Sequence, residues 1–135
     1  MVGLVLVGHS EDVVRGVAAM VAQAAPSVPV GTAGGLAGGR LGTDGIAVAA
    51  ALRLVLAASA DDPVLVLLDL GSAAMALGVA LDELSPQERA RVHTTEAPFV
   101  EGAVAAAVEA ASGSGIERVL LAAERSLQLP KLPRD

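Results

Sequence analysis

Cysteine, tryptophan and tyrosine are absent from the sequence, and Phe99 is its one phenylalanine. Without cysteine, the chain has no disulfide bond, thiolate nucleophile or thiolate zinc site. The near absence of aromatic rings also removes the usual means of stacking on nucleic-acid bases or flavins. The core must therefore be built from alanine, valine and leucine.

Positive charge is scarce as well. Nine lysine and arginine residues face fifteen aspartate and glutamate residues, which gives a net charge of −6. A surface for nucleic acid or for an anionic membrane is therefore not expected. The first apolar run, residues 2–7, is too short for a membrane span or a signal peptide and has no basic leader. We expect a cytoplasmic chain without membrane insertion.

Apolar residues are plentiful enough for one folded domain. The length of 135 residues is that of a single domain, and a hydrophobic fraction of 53% excludes a disordered chain. We assign the domain to residues 1–127. The remaining segment, residues 128–135, contains Pro130 and Pro133 and is predicted to be a disordered tail.

Short apolar runs and helical periodicities alternate along the chain. The runs predict strands over residues 2–7, 28–32, 64–68 and 91–95. Helical spacing predicts helices over residues 11–25, from Thr43 or Asp44, from Gly71 and Ser72, and over residues 100–111 and 116–127. The alternation predicts an α/β fold, a doubly wound, mainly parallel sheet of about four strands flanked by helices. Functional groups in such sheets gather at the carboxyl ends of the strands, which selects the loops at residues 8–10, 31–44 and 69–72.

Two side chains in these loops are suited to act as a reactive pair. His9 follows the first strand, and Asp69 follows the strand at residues 64–68. A carboxylate that accepts the imidazole N–H fixes the tautomer and stabilises the imidazolium, which leaves the other ring nitrogen free as a nucleophile. We therefore predict His9 as the nucleophile and Asp69 as the residue that orients and polarises it. A structural role for Asp69 as a helix cap is left open.

Small and hydroxyl residues close to helix N-termini are suited to receive an anion. Gly71 and Ser72 open a predicted helix, where backbone N–H groups are free to bind one. The same argument applies more weakly to Thr43, and Ser10 is both the neighbour of His9 and a predicted N-cap. A phosphoryl group on His9 would be the anion, so Ser10, Thr43, Gly71 and Ser72 are predicted to bind it. The alternative for Ser72 is a helix cap alone.

Other familiar sites find little support. Gly34 and Gly39 have the spacing of a P-loop, but Arg40 and Leu41 stand where that motif needs lysine and serine or threonine. No G-x-S-x-G motif of a serine hydrolase is present. His93 is expected to be structural, and no metal site is predicted.

Four segments resemble a known family. LVLVGHS at residues 4–10 resembles the first strand and phosphorylated histidine of mannose-family enzyme IIA domains of the phosphotransferase system. GTDG at residues 42–45, VLVLLDLGS at 64–72 and APFVEG at 97–102 resemble, more closely, the phosphotransfer subunits of phosphoenolpyruvate-dependent dihydroxyacetone kinases. The resemblance extends over nearly the whole chain. Gly8 departs from it, because the family often has serine there, and a hydroxyl contact is expected to be lost.

The resemblance implies a function and a set of partners. The histidine-containing phosphocarrier HPr would donate a phosphoryl group to the histidine matching His9. The chain would pass that group to ADP bound on the nucleotide-binding subunit of dihydroxyacetone kinase. The resemblance also implies a phosphotransferase component that forms a homodimer, carries a transient phosphohistidine and binds no cofactor tightly.

Two other functions are compatible with this fold. A sugar-transport enzyme IIA of the mannose type would use the same histidine and a different acceptor, a sugar-transport enzyme IIB. A non-catalytic regulatory domain would not be phosphorylated at all. The GTDG and APFVEG segments favour the kinase subunit.

Overall fold

The computed structural model describes residues 1–134. Within these residues, four strands form one sheet in the order β2-β1-β3-β4, and every pair of neighbours is parallel. The strands are β1 (Gly3–Gly8), β2 (Val30–Gly34), β3 (Val64–Leu68) and β4 (Val92–Thr95). The predicted doubly wound α/β fold is confirmed.

Helices cover both faces of the sheet. They are α1 (Glu11–Ala24), α2 (Gly45–Ala58), α3 (Ala73–Glu83), the single turn α4 (Pro86–Arg89), α5 (Phe99–Ala111) and α6 (Ile116–Arg125). Helices α1, α5 and α6 share one apolar cluster with the sheet, and α2 and α3 share the other. No helix within residues 1–134 has the length and apolar character needed to cross a membrane.

Strand β1 is apolar on both faces because it lies inside the sheet, between the two helical layers. Leu4 and Leu6 belong to the cluster of α1, α5 and α6, whereas Val5 and Val7 belong to the cluster of α2 and α3, and all four are fully buried. Burial of such side chains contributes about 1.5–3 kcal/mol each. The central strand therefore supplies a rigid base for the residues that follow it.

The second strand differs from its prediction by two residues. The sequence predicts it over residues 28–32, whereas the strand is formed by Val30–Gly34. Pro29 has no backbone N–H to give to a strand ladder, and its carbonyl alone accepts from Leu4 N at 2.9 Å. The strand continues to Gly34 because glycine lets the backbone pass beneath α1, where a Cβ would lie 2.5 Å from Val14 Cγ2.

The predicted C-terminal helix ends slightly earlier than expected. Helix α6 ends at Arg125, and Ser126–Gln128 form a 3-10 turn.

Lys131 lies beside α5, where its Nζ is 2.8 Å from Glu101 Oε1. This hydrogen bond and the negative charge of Glu101 raise the pKa of Lys131. The disordered tail at residues 128–135 remains a prediction.

Candidate functional site

The strand register brings the predicted site residues to one edge of the sheet. Val7 of β1 pairs with Leu68 of β3, and Gly8 pairs with Gly34 of β2. The chain leaves β1 and β3 at neighbouring points, so His9 and Asp69 emerge side by side. Asp69 N continues the ladder by donating to Val7 O at 3.0 Å. The sheet itself therefore fixes the spacing of these two residues.

His9 and Asp69 are in direct contact. Nδ1 of His9 lies 3.0 Å from Oδ1 and 3.1 Å from Oδ2 of Asp69. The backbone N–H of His9 also donates to Oδ2 at 2.9 Å, and the N–H of Leu70 donates to Oδ1 at 2.7 Å. A carboxylate accepts hydrogen bonds and does not donate them, so Nδ1 carries the proton in this pair. The lone pair of the neutral ring is then on Nε2.

Ser72 lies against that second ring nitrogen. Its Oγ is 2.9 Å from Nε2 of His9. Because Nε2 is the acceptor of the ring, the hydroxyl is the donor. Ser72 occupies the N-cap position of α3 with helical φ and ψ of −64° and −19°, and within the described residues its side chain makes no capping bond. The hydroxyl is thus directed at His9 rather than at the helix.

The turn before α3 has free backbone donors. The carbonyls of Leu70 and Gly71 accept from Ala73 N and Ala74 N, each at 3.0 Å. Across residues 1–134, the N–H groups of Gly71 and Ser72 have no acceptor, and a Cβ on Gly71 would meet nothing within 4 Å. Free N–H groups at the start of a helix favour a bound anion. The turn can therefore receive anionic oxygens beside Nε2.

The other predicted phosphoryl-binding residues have different surroundings. Ser10 is the N-cap of α1, as expected, and its Oγ accepts from Val13 N at 3.3 Å. Thr43 is half-buried and precedes Asp44, whose Oδ1 caps α2 by accepting from Ile46 N at 2.9 Å. Contact of Ser10, Thr43, Gly71 or Ser72 with a phosphoryl group stays a prediction.

The glycine-rich loop is attached to the site by its ends. Gly35 N donates to Gly8 O at 3.4 Å, and Gly42 N donates to His9 O at 2.8 Å. Leu36 N closes the loop internally on Arg40 O at 2.7 Å. These bonds place residues 35–42 beside the His9 site, as the prediction for the loop at residues 31–44 requires.

Gly8 has a role that the sequence reading missed. A Cβ at this position would lie 2.9 Å from Val14 Cγ1 and 3.1 Å from Oδ2 of Asp69. Both distances are shorter than an ordinary carbon contact, so glycine gives the carboxylate room to reach His9. A larger residue at position 8 would require Val14 or Asp69 to shift. The loss of a hydroxyl contact at Gly8 stays a prediction.

The side chains of the pair are accessible to different degrees. His9 exposes 26% of its side chain and Asp69 exposes 15%.

The second histidine, His93, lies on β4 opposite Leu65 and outside this site. Among residues 1–134, no group of three or more histidine, cysteine, aspartate or glutamate residues is placed to hold a metal ion.

Comparison with known proteins agrees with this arrangement. The family model described as PTS system fructose IIA component, the EIIA-man model, matches residues 3–120. The chain belongs to this family. The resemblance to mannose-family enzyme IIA domains is thereby confirmed.

Several known proteins are similar to the chain. The phosphoryl donor subunit DhaM of PEP-dependent dihydroxyacetone kinase from Escherichia coli strain K12 is 38% identical over 95% of the chain, which spans only 27% of that relative's length. The corresponding subunit of dihydroxyacetone kinase 1 from Listeria innocua is 36% identical, with 79% of the chain and 80% of the relative covered. A crystal structure of a protein of unknown function matches with a TM-score of 0.79 and 31% identity, covering 92% of the chain and 94% of the other.

Proposed function

We propose that the chain is a phosphoryl carrier that accepts a phosphoryl group on Nε2 of His9 from HPr. It then passes the group to ADP held on the nucleotide-binding subunit of dihydroxyacetone kinase. The observation that carries this proposal is the contact of Nδ1 with both oxygens of Asp69, at 3.0 and 3.1 Å, which leaves Nε2 as the nucleophilic nitrogen.

The loading step needs no proton transfer. The Ser72 hydroxyl first releases the lone pair of Nε2, to which it donates at 2.9 Å. The lone pair then attacks phosphorus in line, the new N–P bond forms, and the bond from phosphorus to the donor's nitrogen breaks. The ring becomes a phosphorylated imidazolium that keeps its proton on Nδ1. Asp69 stabilises this cation through a charge-assisted hydrogen bond. In-line transfer depends on positioning and charge stabilisation, which the contacts of His9 supply.

The unloading step uses the same contacts in reverse. The acceptor's phosphate oxygen attacks phosphorus, and the N–P bond of the imidazolium breaks. The positively charged ring is a good leaving group because it departs as a neutral imidazole. During the lifetime of the intermediate, Ser72 Oγ and the N–H groups of Gly71 and Ser72 donate to the phosphoryl oxygens.

The identity of the partners is supported by the relatives. Those from Escherichia coli and Listeria innocua are phosphoryl donor subunits of PEP-dependent dihydroxyacetone kinases. We assign the same acceptor to this chain in preference to a sugar-transport enzyme IIB. The homodimer and the cytoplasmic location that the resemblance implies are parts of the same proposal.

The proposal is tested by loading the purified chain. With phosphoenolpyruvate, enzyme I and HPr, we expect a mass gain of one phosphoryl group that acid removes, because phosphohistidine is acid-labile. Phosphorus and proton NMR should assign the group to Nε2, since Asp69 occupies Nδ1. A phosphoryl group on Nδ1 would contradict the proposed chemistry.

The acceptor is tested by adding each unphosphorylated candidate acceptor to the phosphorylated chain. We expect loss of the phosphoryl group to the ADP-loaded kinase subunit and retention of it in the presence of a mannose-type enzyme IIB. The opposite pattern would assign the chain to sugar transport.

Ser72→Ala should slow loading about fivefold, because one neutral hydrogen bond to the phosphoryl group is worth about 1 kcal/mol. Rapid-quench measurement of phosphohistidine formation gives the rate. Ser112→Ala is the control, since Ser112 Oγ donates to Glu109 O at the end of α5. An unchanged rate for Ser72→Ala would remove the hydroxyl from the mechanism.

A further inference from the structure

The glycine-rich loop carries one positive charge beside the His9 site. Arg40 follows the 3-10 turn Ala37–Gly39 of this loop, and its side chain is exposed. It stands at the position where a P-loop has the lysine that contacts phosphates. Within residues 1–134, no carboxylate forms an ion pair with Arg40. Its planar guanidinium is therefore available to donate two parallel hydrogen bonds to phosphate oxygens.

The backbone of Arg40 is held in place while its side chain extends into solvent. Arg40 O accepts from Leu36 N at 2.7 Å, which closes the loop into a turn. The side chain of Leu36 packs over Gly42, where a Cβ would lie 2.8 Å from Leu36 Cδ1. A Cβ on Gly35 would lie 3.3 Å from Arg40 O and 3.2 Å from Glu11 N, so the turn rests against the start of α1. The loop is thus a folded platform for the arginine.

This platform is close enough to His9 for the arginine side chain to reach it. Gly42, two residues after Arg40, donates its N–H to His9 O at 2.8 Å. Two peptide units span at most about 7.6 Å, and the three methylene groups and guanidinium of arginine extend over a similar length. The guanidinium can therefore be brought from solvent to a phosphoryl group on Nε2.

Phosphorylation adds negative charge to a site that is already acidic. The site and the segments that adjoin it hold four carboxylates: Asp69, Glu11, Asp12 and Asp44. A phosphoryl group brings about 1.5–2 further negative charges at neutral pH, and like charges disfavour its ionised form. Arg15 is engaged by Glu11, with Nε 3.5 Å from Oε1. Arg40 is the neighbouring cation that remains to offset the added charge.

We propose that Arg40 binds the phosphoryl group on His9 and stabilises the phosphorylated chain, an inference that rests on the proposed function. The guanidinium donates to phosphoryl oxygens from the side of the glycine-rich loop, and Ser72 donates from the side of α3. Arg40 transfers no proton, so the loading and unloading steps keep their bonds and charges. Because the arginine binds the phosphorylated state more strongly than the empty one, it shifts the loading equilibrium towards the phosphorylated chain.

The test examines the phosphorylated chain itself. Arg40→Gln removes the charge and Arg40→Lys keeps it. Arg118→Gln is the matched control, because Arg118 is 79% exposed and lies 3.6 Å from Glu109, near the end of α5 that is remote from the site. Each protein is loaded with phosphoenolpyruvate, enzyme I and HPr. A phosphorus NMR titration then gives the pKa of the phosphoryl group, and equilibration with phosphorylated HPr gives the equilibrium constant for loading.

We expect Arg40→Gln to raise the pKa of the phosphoryl group by about one unit, because a nearby cation favours the ionised form. The equilibrium constant for loading should fall about tenfold, as for the loss of a hydrogen bond between charged groups. In Arg40→Lys and Arg118→Gln, the pKa of the phosphoryl group should stay close to that of the wild type.

Three outcomes would contradict the role of Arg40. An unchanged pKa of the phosphoryl group in Arg40→Gln overturns it while leaving the carrier function intact. Equal changes in Arg40→Lys and Arg40→Gln overturn it as well, because they assign the effect to the packing of the loop and not to charge. A wild type that HPr does not phosphorylate overturns the proposed function, and this role with it.

Discussion

His9→Gln should reduce the acid-labile phosphoryl gain of the chain to zero. Glutamine keeps a polar side chain at the carboxyl end of β1, but its amide nitrogen has no lone pair available for attack on phosphorus. The rest of the site, with Asp69 fixed by the N–H of Leu70 at 2.7 Å, should remain in place. Intact mass measured after loading with phosphoenolpyruvate, enzyme I and HPr gives the result directly.

The control uses the second histidine of the sequence. His93 lies on β4 opposite Leu65, away from Asp69 and Ser72, so His93→Gln should gain one phosphoryl group as the wild type does. Circular dichroism and thermal unfolding check that both variants are folded. A full phosphoryl gain in His9→Gln would show that another residue carries the group and would sink the proposed mechanism.

Asp69→Asn should slow phosphoryl transfer by a factor on the order of 10⁴, the loss that follows when the carboxylate that fixes the tautomer of a catalytic histidine becomes an amide. An amide nitrogen in place of either carboxylate oxygen donates a hydrogen bond, and both oxygens here lie close to Nδ1. The ring is then driven towards the tautomer with its proton on Nε2, which has no lone pair for attack. The negative charge that stabilises the phosphorylated imidazolium is lost as well.

The same substitution should lower the stability of the chain slightly. The N–H groups of His9 and Leu70 each donate to one oxygen of Asp69, so an asparagine leaves one of them facing another donor. The cost of such an unmade bond is about 1–3 kcal/mol, which urea unfolding measures. Asp44→Asn is the matched control, because asparagine caps a helix as well as aspartate does and α2 keeps its cap.

The kinetic result decides between the two roles of Asp69. A folded Asp69→Asn variant that loads at the wild-type rate would leave Asp69 with a structural role alone. Loss of rate together with the normal circular dichroism spectrum would assign it to orientation and polarisation of His9. NMR of the ring nitrogens would then report the change of tautomer that the argument requires.

The pairing of His9 with Asp69 could be predicted because it depends on a few general rules. A short apolar run of four to six residues predicts a strand, and alternation with helices predicts parallel pairing. The end of one parallel strand is next to the end of its neighbour, so two residues that follow such strands meet. The register that brings His9 and Asp69 together pairs Val7 with Leu68.

Details that depend on side-chain direction could not be predicted. Whether Ser72 caps α3 or faces His9 is decided by its φ and ψ, which no spacing in the sequence reveals. The clearance at Gly8 depends on the path of α1 above β1, since Val14 Cγ1 is the atom that a Cβ would meet first. The end of β2 at Gly34 follows from the same closeness of α1.

The composition of α3 hides which of its faces is exposed. Leu77 on α3 and Leu84 just after it are buried, at 6% and 8% exposure, and Leu81 is half-buried. Met75 and Val79 on the exposed face are apolar as well, so the helix lacks the polar stripe that usually marks solvent. When both faces of a helix are apolar, the sequence does not predict which face packs against the core.

In the proposed carrier, the single free nitrogen of His9 limits the chain to one phosphoryl group. Since Nδ1 is held by Asp69, the proposed carrier is either empty or phosphorylated, and each visit by a donor must be followed by a visit from an acceptor before the next donor can load it. The phosphorylated fraction of the population at steady state then equals the pseudo-first-order rate constant for loading divided by the sum of the rate constants for loading and unloading. The phosphorylated fraction of such a population therefore changes with the balance between the supply of phosphoryl groups and the demand for them.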